Sequence, residues 1–144
     1  MNKKQSGFSL IELLMIMVIL GIITTVAIPY LLKAVHRSEE RNALASLRTF
    51  ASAQVSYYSS KGRFARLDEL NAAAGSGLGT DSPPNLIRGK FTIVMSPRPV
   101  PTDDELKDAY TIVATKPASA SETSYVVAVD QTGAVSQIFP IPSE

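Results

Sequence analysis

The sequence predicts an α+β fold, with one long amino-terminal helix packed on an antiparallel sheet of about four strands. Three observations predict it. Leu13 to Leu32 are twenty consecutive residues without a charge, which as a helix span roughly 30 Å at about 1.5 Å per residue. From Lys33 to about Ser60 the apolar residues recur at spacings of three and four, the mark of an amphipathic helix continuing the first. Beyond Gly62, turn residues separate short runs rich in β-branched and aromatic side chains, which read as strands. A helix stripe and a sheet face then cover each other.

Composition narrows the function. The chain has 144 residues and no cysteine, so neither a disulfide nor a thiolate is available. Residues 1–66 carry nine Lys/Arg against three Asp/Glu, and residues 67–144 carry five against ten. The acidic distal half argues against a nucleic-acid grip, which needs a basic surface to displace counterions.

The first seven residues are polar and include Lys3 and Lys4. A basic segment before an apolar one has the outline of a secretory signal. The small-residue site expected after the apolar core is missing at Ala27-Ile28-Pro29, whereas Gly7 lies before the core. Glu12 is set into the start of the apolar run. An acid costs about 2.5–3.5 kcal/mol at mid-bilayer and less towards the interface, so such a residue calls for a partner.

Gly7-Phe8-Ser9-Leu10-Ile11-Glu12-Leu13-Leu14 resembles the processing site of type IV pilins and the related pseudopilins, proteins with a class III signal peptide. The resemblance covers residues 1 to about 35 and extends to the rest only in outline. It implies that residues 1–7 are a leader removed by a prepilin peptidase between Gly7 and Phe8, with N-methylation of Phe8. Residues 8–35 are then the transmembrane and assembly helix, and residues 36–144 the globular pilin head. It also implies that Glu12, fifth in the mature chain, acts in assembly. The physical reading agrees: the new amine on Phe8 pairs with Glu12 of its own or a neighbouring chain, and the pair offsets the desolvation of each group. In a filament that pairing sets the register.

The resemblance further implies a structural subunit of a type IV pilus. Its partners would be other copies of itself, minor pilins, the peptidase, and an inner-membrane assembly platform with a cytoplasmic ATPase motor. The chain would be a single-pass inner-membrane precursor with a cytoplasmic amino terminus, later found in an extracellular pilus. Flanking charge alone, with Lys33, Arg37, Arg41 and Arg48 after the span, slightly favours the opposite orientation; the processing motif overrules it. The alternatives are a pseudopilin of a type II secretion system and a monomeric membrane-anchored binding module.

Inside the apolar run, Gly21 lowers helix propensity and Thr24, Thr25, Val26 and Ile28 are β-branched. Pro29 cannot donate to residue 25. The spacing of Gly21 and Pro29 resembles that of pilins whose helix partly unwinds in the filament; an ordinary kink of a membrane helix is the other reading. In the amphipathic half, Leu44, Leu47, Ala51, Val55 and Tyr58 form the expected stripe, with Phe50, Gln54 and Tyr57 beside it. The aromatics there, with Phe64, read as core packing and not as an electron path. His36, the only histidine, reads as a solvated or interfacial residue and not a ligand.

Lys61-Gly62-Arg63 ends the helix, with Gly62 as cap. A short helix is expected from Ala65 to Ala73, then a loop through Gly75–Gly79 and Asp81-Ser82-Pro83-Pro84. Strands are expected at 90–96, 108–115, 124–130 and 134–139, the last two joined by the turn Asp130-Gln131-Thr132-Gly133. Asp103, Asp104, Glu105 and Asp108 are weak calcium candidates. Thr102-x-x-Glu105 is also a capping box, and that is the preferred reading. No enzyme and no cofactor is expected: thiols and a histidine pair are lacking, and the serines have no recognisable base and orienter.

Overall fold

A computed structural model describes residues 7–118 and 124–139. Helix α1 runs Leu10–Lys61 and is followed by α2 (Leu67–Ala73), β1 (Thr80–Ser82), β2 (Asn85–Arg88), β3 (Phe91–Met95), α3 (Glu105–Asp108), β4 (Thr111–Lys116), β5 (Tyr125–Asp130) and β6 (Val135–Phe139). The chain divides into two compact units, residues 1–39 and 40–144, and α1 contributes to both.

The second unit is an α+β fold, as the sequence predicts. Its strands form a single antiparallel meander in the order β1-β2-β3-β4-β5-β6. Alternate residues of the central strands point one way, because successive side chains leave a strand on opposite faces. Ile93, Ala114 and Val127 stand in one cross-strand row and Met95, Ile112 and Val129 in the next. All six are buried, and Ala43, Leu47, Phe50 and Ala51 of α1 belong to the same core. Fully burying a side chain such as Leu47 or Phe50 contributes roughly 1.5–3 kcal/mol.

The structure corrects four details, the last of them at the start of α2. The sheet has six strands, not about four: β1 and β2 form a hairpin in a segment expected to be a loop. They are only three and four residues long, and Pro83-Pro84 between them reads as punctuation, so no period-2 pattern builds up. Strand β4 starts at Thr111, because Asp108 closes α3. The buried face of α1 is Ala43, Leu47, Phe50, Ala51 and Gln54, while Val55 and Tyr58 of the expected stripe are exposed, at 59% and 42%. The apolar spacing alone allows two adjacent rows, and the sheet covers the row that includes Gln54.

Gln54 is completely buried. Its Nε2 donates to the Ala65 carbonyl at 2.8 Å, and its Oε1 accepts from the Ala65 amide at 2.7 Å. One side chain thus satisfies both backbone groups of a buried residue beyond the helix end, as buried polar groups require. This bond replaces the start of the short helix expected at Ala65, and α2 begins at Leu67. Asn71 acts similarly on the next loop. It accepts from the Leu78 amide at 3.1 Å and donates to the Gly79 carbonyl and to Asp81 Oδ1. Gly79 is required there, since a Cβ would lie 2.9 Å from the Ile87 carbonyl oxygen. The β5–β6 turn forms as expected, with Gly133 at φ +75° and its amide donating to the Asp130 carbonyl.

Candidate functional site

The sequence motif lies at the start of α1. Ser9 caps the helix, for its carbonyl accepts the first helical bond from Leu13 at 3.2 Å. Glu12 is then the third helical residue. Its Oε2 accepts from the Ser9 amide at 2.9 Å, one half of a capping box. Sequence reasoning missed this role although Ser9-x-x-Glu12 carries its signature. The carboxylate therefore folds back towards the amino-terminal end of the helix, the end at which Phe8 sits. Phe8 itself is 80% exposed. Gly7 has no positive φ, and a Cβ there would meet nothing within 4 Å, so among the described residues the fold gives no steric reason for a glycine.

From Leu10 onward α1 is regular through both Gly21 and Pro29. Every large apolar side chain from Phe8 to Val35 is exposed, and this is the one helix among the described residues long and apolar enough to cross a membrane. Thr24 Oγ1 donates to the Leu20 and Gly21 carbonyls and Thr25 Oγ1 to those of Gly21 and Ile22. Such back-bonding weakens and bends helices slightly. Pro29 lacks the amide that would serve the Thr25 carbonyl. A Cβ on Gly21 would also meet nothing within 4 Å. Gly21 and Pro29 thus lower the stability of one stretch of helix without any packing requirement in the single chain.

The acids named as weak calcium candidates turn to separate partners. Glu105 Oε2 accepts from the Thr102 amide at 2.7 Å and from its hydroxyl at 2.9 Å. The Thr102 carbonyl accepts from Leu106, and Asp103 and Asp104 form the turn that leads into α3. Asp104 pairs with Lys107 at 2.7 Å, which holds its carboxyl below the usual range. Asp103 pairs with Arg66 and lies 3.8 Å from Arg63 Nε. Among the described residues no three acids or imidazoles converge on a point that would hold a metal. His36 is half-buried.

Arg63 and Glu69 link the end of α1 to α2. Arg63 grips Glu69 with two bonds of 2.7 and 2.9 Å and gives a third to the Phe64 carbonyl. Glu69 Oε2 also accepts from the Arg66 amide at 2.9 Å. The Arg63 guanidinium, and after it the Arg66 amide, hold the Glu69 carboxyl down at about 2 against the opposing effect of burial. The Arg66 guanidinium donates to the Pro101 carbonyl, so the clamp extends to the segment before α3.

Fold and amino-terminal segment together define a class: an α+β unit whose first helix continues from an exposed apolar run sized for a membrane. Residues 2–28 match the family described as Prokaryotic N-terminal methylation motif. The chain is 38% identical over 63 residues to the type IV major pilin protein PilA of Myxococcus xanthus, a match covering 44% of this chain and 29% of that protein. It is 35% identical over 91 residues to a type IV major pilin protein PilE1 of Neisseria gonorrhoeae, covering 63% of this chain and 51% of that one. A second PilE1 matches over the same length, with 47% of it covered. The chain thus spans from about a third to about half of the length of these relatives. No solved structure matches it. Over part of its length the chain is thus similar to type IV major pilins.

Proposed function

We propose that this chain is a structural subunit of a type IV pilus. It is made as a prepilin, cut between Gly7 and Phe8 by a prepilin peptidase, and methylated on Phe8. It waits in the inner membrane with a cytoplasmic amino terminus. It then polymerises, with other copies and with minor pilins, into an extracellular filament. An assembly platform driven by a cytoplasmic ATPase supplies the work of extraction. Residues 8–35 form the assembly helix, residues 36–144 the head, and the role is structural and not catalytic.

The observation that carries this reading is the uncovered apolar run of α1 with Glu12 folded back at its head. Each large apolar side chain gains roughly 1.5–3 kcal/mol when fully buried. Together the run favours a lipid or protein covering by roughly tens of kcal/mol. The same surface serves first against lipid and then against neighbouring helices. The carboxylate of Glu12 already accepts the Ser9 amide; after cleavage the cationic amine of Phe8 arises one residue further out, a stronger donor for the same acceptor. A glycine at position 7 without steric need fits recognition by a peptidase. Gly21 and Pro29 supply a segment that unwinds when the subunit leaves the bilayer.

Intact-mass measurement on the chain from cells tests the processing. Loss of residues 1–7 together with the gain of one methyl group is expected; a chain that retains Met1 refutes it. Electron microscopy of sheared cell surfaces tests the filament. Fibres that vanish when the gene is deleted are expected, whereas a secretion defect without fibres would point to a pseudopilin.

A further inference from the structure

We infer that the solvent face of α1 in the second unit docks, within the filament, on an acidic hollow of a neighbouring copy. The inference rests on the filament reading above. Arg41 and Arg48 lie seven residues apart, with Val55 seven further on, so all three share one face of the helix. They are exposed, and the row runs along the flank of the helix beside the buried row of Leu47, Phe50 and Gln54. Residues three and four positions from each arginine are Arg37, Ser38, Leu44, Ala45, Ala51 and Ser52. The helix itself therefore offers neither arginine an acid. Among the described residues neither makes an ion pair.

The complementary surface lies elsewhere on the same unit. Asp68, on α2, and Asp81, on the edge strand β1, both line a hollow of about 230 Å³ walled by Pro83, Pro84 and Leu86. Both acids are exposed, and neither makes an ion pair among the described residues. Asp81 keeps an oxygen free, because Asn71 uses only its Oδ1. A guanidinium is all donor and permanently charged, and it suits a concave surface that presents carboxylate acceptors. The basic row and the acidic hollow are two unlike patches on one chain. Contacts between unlike patches are heterologous, and where the rotation between copies does not close a ring they propagate into an open helical polymer. That geometry is what a filament needs, and it gives the charge asymmetry between the two halves of the sequence a use.

The test is charge reversal in the full-length chain, read as fibre sheared from cells with the assembly apparatus. Arg41→Glu combined with Arg48→Glu is expected to lower fibre yield about tenfold or more, and so is Asp68→Arg, because like charges then face each other. Membrane-held pilin and head melting stay unchanged. Combining Arg48→Glu with Asp68→Arg restores fibre to within about threefold of the unaltered chain. The chain has no cysteine, so a chain carrying Arg48→Cys and Asp68→Cys reports the contact directly, as an interchain disulfide ladder in oxidised fibres. Fibre yields untouched by reversal, a combined variant no better than the singles, or absence of the ladder would each overturn the docking and leave the pilus standing. Absence of fibre from the unaltered chain would remove both.

Discussion

Replacing Gln54 tests the internal construction of the head most sharply. Its side chain holds both the amide and the carbonyl of Ala65, and both residues are fully buried. Gln54→Ala leaves two buried backbone groups without partners, at about 1–3 kcal/mol each, and opens a small cavity besides. The expected loss is about 3–5 kcal/mol. For a unit of this size each kcal/mol moves the midpoint by about 4–8 °C, so a fall of roughly 12–40 °C is expected. Gln54→Leu keeps most of the volume and removes the bonds; it should cost nearly as much, which separates hydrogen bonding from packing. Gln54→Glu retains the acceptor but donates to Ala65 only when protonated. Burial and that bond favour the neutral form, raising the carboxyl in the folded state. The deficit is therefore smallest below about pH 4, the unfolded value, and grows as pH rises. Near-ultraviolet circular dichroism of the tyrosines, on the chain in detergent, follows the transition. A midpoint for Gln54→Leu within about 3 °C of the unaltered chain would refute the claim that these two bonds hold the α1–α2 connection.

Glu69 has its carboxyl lowered from 4.5 to about 2, chiefly by the Arg63 hydrogen bonds. It therefore contributes stability in full above about pH 4.5, and this is lost as pH falls through about 2. Glu69→Gln should cost about 1 kcal/mol at pH 7, an amount discounted for partial exposure, and progressively less as pH falls towards and below about 2; equal costs at pH 7 and pH 2 in urea titrations would contradict the clamp. Gly79→Ala should destabilise the head by about 1–3 kcal/mol, because the new Cβ meets the Ile87 carbonyl at 2.9 Å, whereas Gly21→Ala should leave head melting unchanged, and both are read by thermal unfolding. Glu12→Ala should leave head melting unaltered and reduce sheared fibre at least about tenfold, the value of one lost charge-assisted contact; normal fibre yield would show that the carboxylate serves only as the cap of Ser9.

Some of this was legible in the residues and some was not. The long helix, the strands near 90–96, 124–130 and 134–139, and the turn ending at Gly133 follow from local rules: hydrophobic period, β-branching and turn chemistry. The hairpin of β1 and β2 does not, because strands this short carry almost no periodic signal and gain their stability by pairing along the edge of β3. The choice between the row of Val55 and Tyr58 and the row of Phe50 and Gln54 was likewise open. At spacings of three and four both rows are helical neighbours, and a glutamine is ordinarily placed outside.

Where the apolar helix begins, where an acid interrupts it, and that Gly7 and Phe8 stand at its edge can all be read along the chain. Those features are contiguous along the chain, and the physics that marks them, charge against hydrophobic length, is local. That Gln54 is a buried bridge and that Arg63 and Glu69 clamp α1 to α2 emerges only in the folded chain. The same holds for Asp103, Asp104 and Glu105, which turn to separate partners. In each case the partner lies elsewhere in the chain. Whether a polar side chain is exposed or sealed depends on what folds over it, and no spacing within its own helix records that.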